Sequence, residues 1–308
     1  MLKEIKRNKK NEIKFRSSLK METRGERIFS IINHVLLVLL AICAVYPFVY
    51  VLSASISRGS AVDAGKVVLF PVGTTTAAYN SILSDKYFWM SYGNTFFYTI
   101  LGTAFSMFIS ITAAYSLSKK RFKFRKPVNL ILSISMWFHV GFIPMYINFQ
   151  SLGALNNRWM ILVCFGVHAF NIILLRSYFE NVPNELEEAA NIDGASDFQI
   201  LWKVYLPISK PALTTVWLYY AIGRWNGWFW SSILLKEQTK IPLQLYLKQK
   251  IVDMVLVSEN ATSIAGQVYS FTTLTYAIVV CSLIPVIIVY PYIQKYFNKG
   301  IMLGSVKE

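Results

Sequence analysis

The sequence predicts an all-α membrane protein: six transmembrane helices and one cytoplasmic docking loop. Three observations lead there. The mean hydropathy is +0.43, and 55% of the 308 residues are hydrophobic, too apolar for most soluble proteins of this length. The charged residues are excluded from a series of long runs. One polar, amphipathic insert at 183–211 interrupts this otherwise apolar chain.

The charge-free runs cover residues 28–57, 87–118, 127–157, 159–175 and 260–294, and residues 211–235 form another broken only by Arg224. Each can hold a helix of about 20 residues, the length that crosses the hydrocarbon core, with the fourth near the lower limit. Spans are therefore expected near 29–53, 94–117, 128–149, 159–178, 212–235 and 272–293. Helices satisfy their own backbone polar groups in lipid, so an all-α fold follows. The expected organisation is a basic leader at 1–27, a six-helix transmembrane domain at 28–293 and a short tail at 294–308. Residues 1–27 are polar and basic, and the apolar run that follows is too long for a signal-peptide core, so a retained first helix is expected.

The net charge of +15 could suggest nucleic acid, but its distribution indicates membrane topology instead. Six spans put both termini on one side. Of 31 Lys and Arg residues, 22 fall on that side: ten before residue 28, six in 118–127, three in 176–211 and three after 292. Eight fall on the other side, and Arg224 lies within a span. Positive charge is retained on the cytoplasmic side, which places both termini and the 183–211 insert in the cytoplasm. The excess is also suited to contact with anionic lipid.

The insert reads PNELEEAANIDGASDFQILWKVYLPISKP. Pro183 pre-sets φ for a helix start, and Glu185, Glu187 and Glu188 put negative charge in the first turn, where the helix dipole favours it. Asp193-Gly194 stops that helix. Ser196 and Gln199 have capping-box spacing for a second helix carrying Phe198, Ile200, Leu201, Trp202 and Tyr205. Two short helices meet at a glycine corner, and Ala189-Ala190 leave a surface that can enter a groove closely. An amphipathic connector lying at the membrane interface is the plainer alternative. The set Glu188-Ala189-Ala190, Asp193-Gly194-Ala195, Leu206-Pro207 and Pro211 resembles the EAA signature of permease subunits of bacterial ABC importers; Val204 stands where that family usually has isoleucine. The resemblance implies that loop 180–211 carries the coupling helix. Its ATPase-coupling residues would be Glu187, Glu188, Ala189, Ala190, Asp193, Gly194, Ala195, Leu206 and Pro207.

The fifth span is chemically the richest. Tyr219, Tyr220, Arg224, Trp225, Asn226, Trp228, Phe229 and Trp230 fall within twelve positions. Aromatic faces stack on sugar C–H faces, and Asn or Arg can bond hydroxyls, although Trp and Tyr also populate interfacial belts. An Arg facing lipid at that depth is costly, so Arg224 is expected inside the bundle. It can select acidic sugars, bond neutral hydroxyls or hold a neighbouring helix. Gly223-Arg224-Trp225-Asn226 with Phe229-Trp230 is similar to the carbohydrate permeases related to the maltose system. Ser135-Met136-Trp137, Gly141 through Tyr146, Ser151-Leu152-Gly153, Asn156 through Trp159 and Lys299 through Lys307 resemble a subgroup that handles complex oligosaccharides. Tyr220, Arg224, Trp225, Asn226 and Phe229 are the expected substrate pathway. Ile241 through Leu247 resembles the start of the loop that reaches a solute-binding protein, with an interfacial helix as the alternative.

No catalytic constellation is present: no phosphate-binding G-x-x-x-x-G-K-[ST], no H-E-x-x-H and no G-x-S-x-G. Cys43, Cys164 and Cys281 have no metal-ligand spacing and read as small packing residues. His34, His139 and His168 are isolated, and Asn260-Ala261-Thr262 is a chance sequon. The chain is expected to be no enzyme and to hold no metal or cofactor, ATP and Mg belonging to a partner. The resemblance implies ATPase subunits, a second homologous permease and an extracellular solute-binding protein as partners, with membrane lipid around them and no nucleic acid. The function expected is import of a sugar or oligosaccharide across the bacterial plasma membrane. An importer of polyamine or peptide is the alternative in the same class. A stand-alone carrier or channel would call for paired intramembrane acids, and the six spans contain no Asp or Glu.

Overall fold

The computed structural model describes residues 24–138, 140–260 and 270–305. His139, residues 1–23 of the leader, Ala261 and Thr262 of the sequon, and Val306-Lys307 of the tail lie outside the described residues. Every regular element among the described residues is helical. In order these are α1 (Arg24–Ser55), α2 (Gly59–Asp63), α3 (Ala77–Ser84), α4 (Lys86–Ser118), α5 (Arg125–Trp137), α6 (Phe142–Ser151), α7 (Arg158–Cys164) and α8 (Ala169–Glu180). They are followed by α9 (Asn184–Ile192), α10 (Asp197–Ile200), a π-helical turn at Leu201–Tyr205, α11 (Leu206–Ile208), α12 (Lys210–Trp225), α13 (Trp228–Leu234), α14 (Leu243–Asn260) and α15 (Phe271–Ser305).

Three stretches, Gly25–Ser55, Lys86–Ser118 and Phe271–Pro291, are long and apolar enough to cross a membrane as single helices. The other three expected spans are not continuous. The run at 128–149 divides into α5 and α6 where Phe138 turns extended and Gly141 adopts φ +85°. The run at 159–178 divides into α7 and α8, bent by 53°; that pair together has the length and apolarity of a fourth crossing. The run at 212–235 divides at Gly227, whose φ of −73° and ψ of 60° make an inverse γ-turn, closed by a Trp228 N–H to Asn226 carbonyl bond of 2.8 Å. Hydropathy reports where a chain prefers lipid. It does not register a local break whose polar groups find partners inside the bundle.

The bundle is built around α4. Asp85 caps its start by accepting the Tyr87 N–H at 2.8 Å. Its buried positions include Asn94, Tyr98, Gly102, Ser106, Ser110 and Ala114, one stripe at helical spacing. Small side chains there admit α8 and α12, which pack on α4, in the manner of close helix pairs in lipid. Two apolar clusters divide the bundle along α4: one gathers Ile82, Phe88, Ile161, Leu234, Ile241 and Ile278, the other Leu175, Phe179, Ile200, Tyr205, Val216 and Tyr220. Helix α1 stands at the periphery against α15, touching it through Tyr50 and Tyr276.

The segment before α14 is anchored in the first cluster. Asn94 donates to the carbonyls of Thr239 and Ile241 at 2.8 and 3.0 Å, Tyr98 to that of Lys240 at 2.8 Å, and the Leu243 N–H bonds Thr95 Oγ1 at 2.7 Å. Tyr246 reaches Asp85 at 2.5 Å. Residues 241–246 are thus docked on α4, with Ile241, Leu243, Leu245 and Tyr246 buried. The Asn156-Asn157-Arg158 corner supports the same end: Asn157 caps α7, Asn156 at φ 54° bonds Glu237, and Arg158 bonds Asn94.

Candidate functional site

Two places bring the sequence-predicted residues together: the corner at 183–207 and a cavity along α12 and α13. At the corner, Pro183 precedes α9, with Glu185 and Glu187 in its first turn. Gly194 ends it at φ +74°, a conformation that L side chains resist. The Ala195 N–H bonds the Ala190 carbonyl and the Gly194 N–H bonds the Asn191 carbonyl, both at 3.0 Å. That pair of bonds is a Schellman closure. Ser196 and Gln199 then form a reciprocal capping box for α10.

The corner residues divide by direction. Ala190, Ala195 and Leu206 pack partly buried against the second apolar cluster. Glu188, Ala189, Asp193, Gly194 and Pro207 are exposed. Glu187 turns inward: its carboxylate lies 2.7 Å from the Lys119 ammonium and accepts the Tyr205 hydroxyl at 2.6 Å. Lys119 in turn sits over the rings of Tyr205 and Tyr115, at 3.9 and 4.3 Å from their centroids. Burial opposes ionisation of Glu187, yet the hydrogen bonds from Lys119 and Tyr205 outweigh it and hold its carboxyl below the usual range. Burial lowers the Lys119 ammonium and raises the Tyr205 phenol, which its bond to Glu187 raises further. Glu187 therefore ties the corner to the end of α4. Lys119 had been legible only as one of six cations in a loop. Ile192, 86% exposed, and Phe198, 65% exposed, add an apolar outer face with Trp202.

The cavity has a volume of about 510 Å³ and is lined by α7, α8, α12 and α13 and the breaks between them, including Phe165, His168, Tyr219, Arg224, Asn226 and Trp228, with Tyr98 of α4 and Pro242 closing it. Of the five expected pathway residues, Tyr220, Arg224, Asn226 and Phe229 line it. Trp225 points the other way, edge-on to Tyr92 and Phe96. Tyr220 is buried, its hydroxyl joined to Ser110 Oγ at 2.7 Å and to the His168 N–H at 3.3 Å. The aromatic side chains left partly accessible are those of Phe170, Tyr219, Trp228 and Phe229, each more than a third exposed.

Arg224 is committed to the fold. Its Nη1 donates to the Ile161 carbonyl at 2.9 Å, and its Nη2 to the carbonyls of Leu162 and Phe165 at 2.9 and 2.8 Å, with Ser106 Oγ at 3.3 Å. These are the carbonyls released where α7 breaks, and a cation at a helix C-terminus also meets the negative end of its dipole. The approach requires Gly102, since a Cβ there would stand 2.9 Å from Arg224 Nε. A planar guanidinium can serve three carbonyls at once; an ammonium cannot reproduce that fork. Among the described residues no group of His, Cys, Asp and Glu is placed to hold a metal ion.

A bundle of broken helices enclosing an aromatic cavity, with a capped polar corner tied to its central helix, can now be set beside known proteins. The family described as "Binding-protein-dependent transport system inner membrane component" matches residues 27–303. This chain belongs to that family. It is a membrane permease subunit of the ABC-importer class rather than a catalytic enzyme. Protein LplC of Bacillus subtilis (strain 168) is 33% identical over 92% of this chain and 97% of its own length. The polygalacturonan/rhamnogalacturonan transport system permease protein YtcP of the same organism is 36% identical over 91% and 99%. A crystal structure of a bacterial ABC transporter involved in the import of the acidic polysaccharide alginate contains a chain with TM-score 0.84 and 51% identity, covering 89% of this chain and 98% of that one. A bacterial alginate ABC transporter in complex with an alginate pentasaccharide-bound periplasmic protein matches with TM-score 0.61 at 13% identity, a likeness of fold.

Arg224→Gln leaves at least two of the three carbonyls unpaired, each costing about 1–3 kcal/mol. The purified protein in detergent is expected to unfold at least ~2 °C lower, since roughly 1 kcal/mol moves a domain of this order by that much. Uptake of acidic and neutral oligosaccharides should fall together. Selective loss of acidic sugar with unchanged thermal stability would show that Arg224 reads the substrate.

Proposed function

We propose that this chain is one of two transmembrane subunits of an ATP-driven importer for an oligosaccharide, and that the oligosaccharide is acidic. Its six crossings are α1, α4, α5–α6, α7–α8, α12–α13 and α15, with both termini and the 183–211 corner in the cytoplasm. The skewed Lys and Arg distribution supports that orientation. The single observation that carries the transport reading is the aromatic cavity set between two interrupted spans, α7–α8 and α12–α13. Broken helices around a cavity are where membrane transporters hold solutes, because irregular backbone is tolerated only when buried in protein or lining such a space.

The corner is the contact for an ATPase subunit on this reading. Ala189 on the outer face permits close approach, while Ile192 and Phe198 give an apolar face with no cover among the described residues. ATP binding on that partner would move the corner, and the Glu187–Lys119 tie would carry the movement to α4. The ATP and Mg would stay with the ATPase. A second permease of the same family would complete the lumen, and an extracellular binding protein would deliver the sugar at the end where residues 241–246 dock.

The acidic class rests on two supports. Two of the similar permeases, at 51% and 36% identity, serve alginate and polygalacturonan or rhamnogalacturonan by their descriptions. Lys248 holds its ammonium 3.6 Å from the centroid of the Trp228 ring at the cavity's rim, and it makes no carboxylate contact among the described residues. With Arg224 occupied by carbonyls, Lys248 is the cation placed to meet a uronate.

Gly194→Val is expected to abolish sugar uptake while the protein still inserts in the membrane. Open space surrounds the position, so the damage is confined to the backbone of the corner. Uptake at the wild-type rate would remove the coupling role. Lys248→Gln should reduce uptake of a uronate oligosaccharide several-fold and leave a neutral one of equal length unchanged. Equal effects on both sugars would remove the acidic-substrate reading.

A further inference from the structure

A second concavity, of about 740 Å³, lies beside the start of α5 and is lined by Lys120, Lys123, Arg125, Lys126, Asn129 and Arg176, with Arg121 and Phe122 completing it. Six cations are gathered there. Arg125 and Arg176 share Glu180, and Arg121 pairs with Asp197. Lys120, Lys123 and Lys126 are exposed and have no carboxylate partner among the described residues. Six positive charges against two negative ones leave a net of about four in one small cup. Holding these charges together is unfavourable unless an anion neutralises them. Asn129 adds a buried side-chain oxygen with no hydrogen-bond partner; turned over, that amide presents its N–H groups to an acceptor instead.

The residues beyond the cup show which anion fits. Lys126, Leu130 and Ile134 are spaced four apart on α5 and so share one face. Leu130 and Ile134 are more than half exposed, as is the neighbouring Ile131. A basic cup therefore opens directly onto an apolar strip that runs along the helix. A soluble phosphate needs no such strip, and an acidic protein surface would leave it uncovered. A phospholipid supplies both parts: a phosphate for the lysines and an acyl chain for the strip.

We infer that this cup is a binding site for the phosphate headgroup of an anionic phospholipid, whose chain lies along Leu130 and Ile134. The inference uses the proposed orientation only to name the cytoplasmic leaflet as the lipid's source; the chemistry of the cup stands without the transport reading. Lipid bound here would brace the 119–126 loop, which holds both Lys119 and the start of α5, beside the coupling corner.

The test is lipid retention, which is read independently of transport. The full-length chain, with whatever subunits accompany it, is placed in nanodiscs of phosphatidylcholine containing one-fifth phosphatidylglycerol. It is then released for native mass spectrometry. The wild-type chain is expected to retain phosphatidylglycerol at least tenfold over its share of the bilayer. Lys120→Gln/Lys123→Gln/Lys126→Gln should lose that tenfold enrichment, since basic residues near an anionic surface carry the attraction. Leu130→Ser/Ile134→Ser should weaken lipid retention, and inorganic phosphate at 10 mM (roughly physiological, far below the effective lipid concentration in a bilayer) should leave it in place. Undiminished enrichment in the lysine variant overturns the site. Full displacement by inorganic phosphate, with the serine variant unaffected, would make it a free-phosphate site instead. Displacement by the ATPase subunit alone would make it a protein contact.

Discussion

In a bundle this apolar, a carbonyl released by a broken helix must find a donor within the protein. Arg224 meets that demand for α7, serving the carbonyls of Ile161, Leu162 and Phe165 from a neighbouring helix. The bend between α7 and α8 becomes tolerable for that reason, and the bend opens the aromatic cavity. Gly102 on α4 leaves room for the guanidinium, and Ser106 one turn further on touches it. The arginine, the glycine and the broken helix therefore form one unit in which each part is unworkable without the others.

The same helix links the cavity to the corner. Along α4, Gly102 and Ser106 meet Arg224, Ser110 holds the Tyr220 hydroxyl, and Lys119 just past its end grips Glu187. The distance from Gly102 to Lys119 is about 25 Å at 1.5 Å per residue. A continuous helix over that distance transmits displacement with little loss. A force applied at 184–192 would reach the wall of the cavity through α4 and through α12, which follows directly from the corner. On the proposed coupling, Glu187 would belong to the transmission, while Glu188 and the alanine after it face outward.

Much of this was legible beforehand. The corner is legible residue by residue, because Pro183, Gly194, Ser196 and Gln199 act through local backbone geometry, and the structure has that turn, closure and capping box. The helical class followed from hydropathy alone. The interruptions of the third, fourth and fifth expected spans did not: no charge or proline marks Phe165, and the Arg224 guanidinium that permits that break is distant in sequence. Arg224 was expected inside the bundle, but its three carbonyl partners lie some sixty residues earlier. Trp225 and Phe229 looked equivalent as aromatics near one helix end. The rotation of the helix at Gly227 separates them, one into the packing against α4 and one into the cavity. Lys119 was hidden among five other cations, and only the fold distinguishes it as the one that is buried.

On the proposed reading, the corner at 183–207 delivers energy from a separate ATPase to this chain. The direct measurement is to purify the tagged chain from its native membrane in mild detergent and identify its companions by mass spectrometry, alongside an Ile192→Glu/Phe198→Glu variant. An ATPase subunit and a second family member are expected with the wild-type chain. The variant should keep the second permease and lose the ATPase. A chain that arrives alone, or an ATPase that stays bound to the variant as firmly as to the wild type, would contradict that reading.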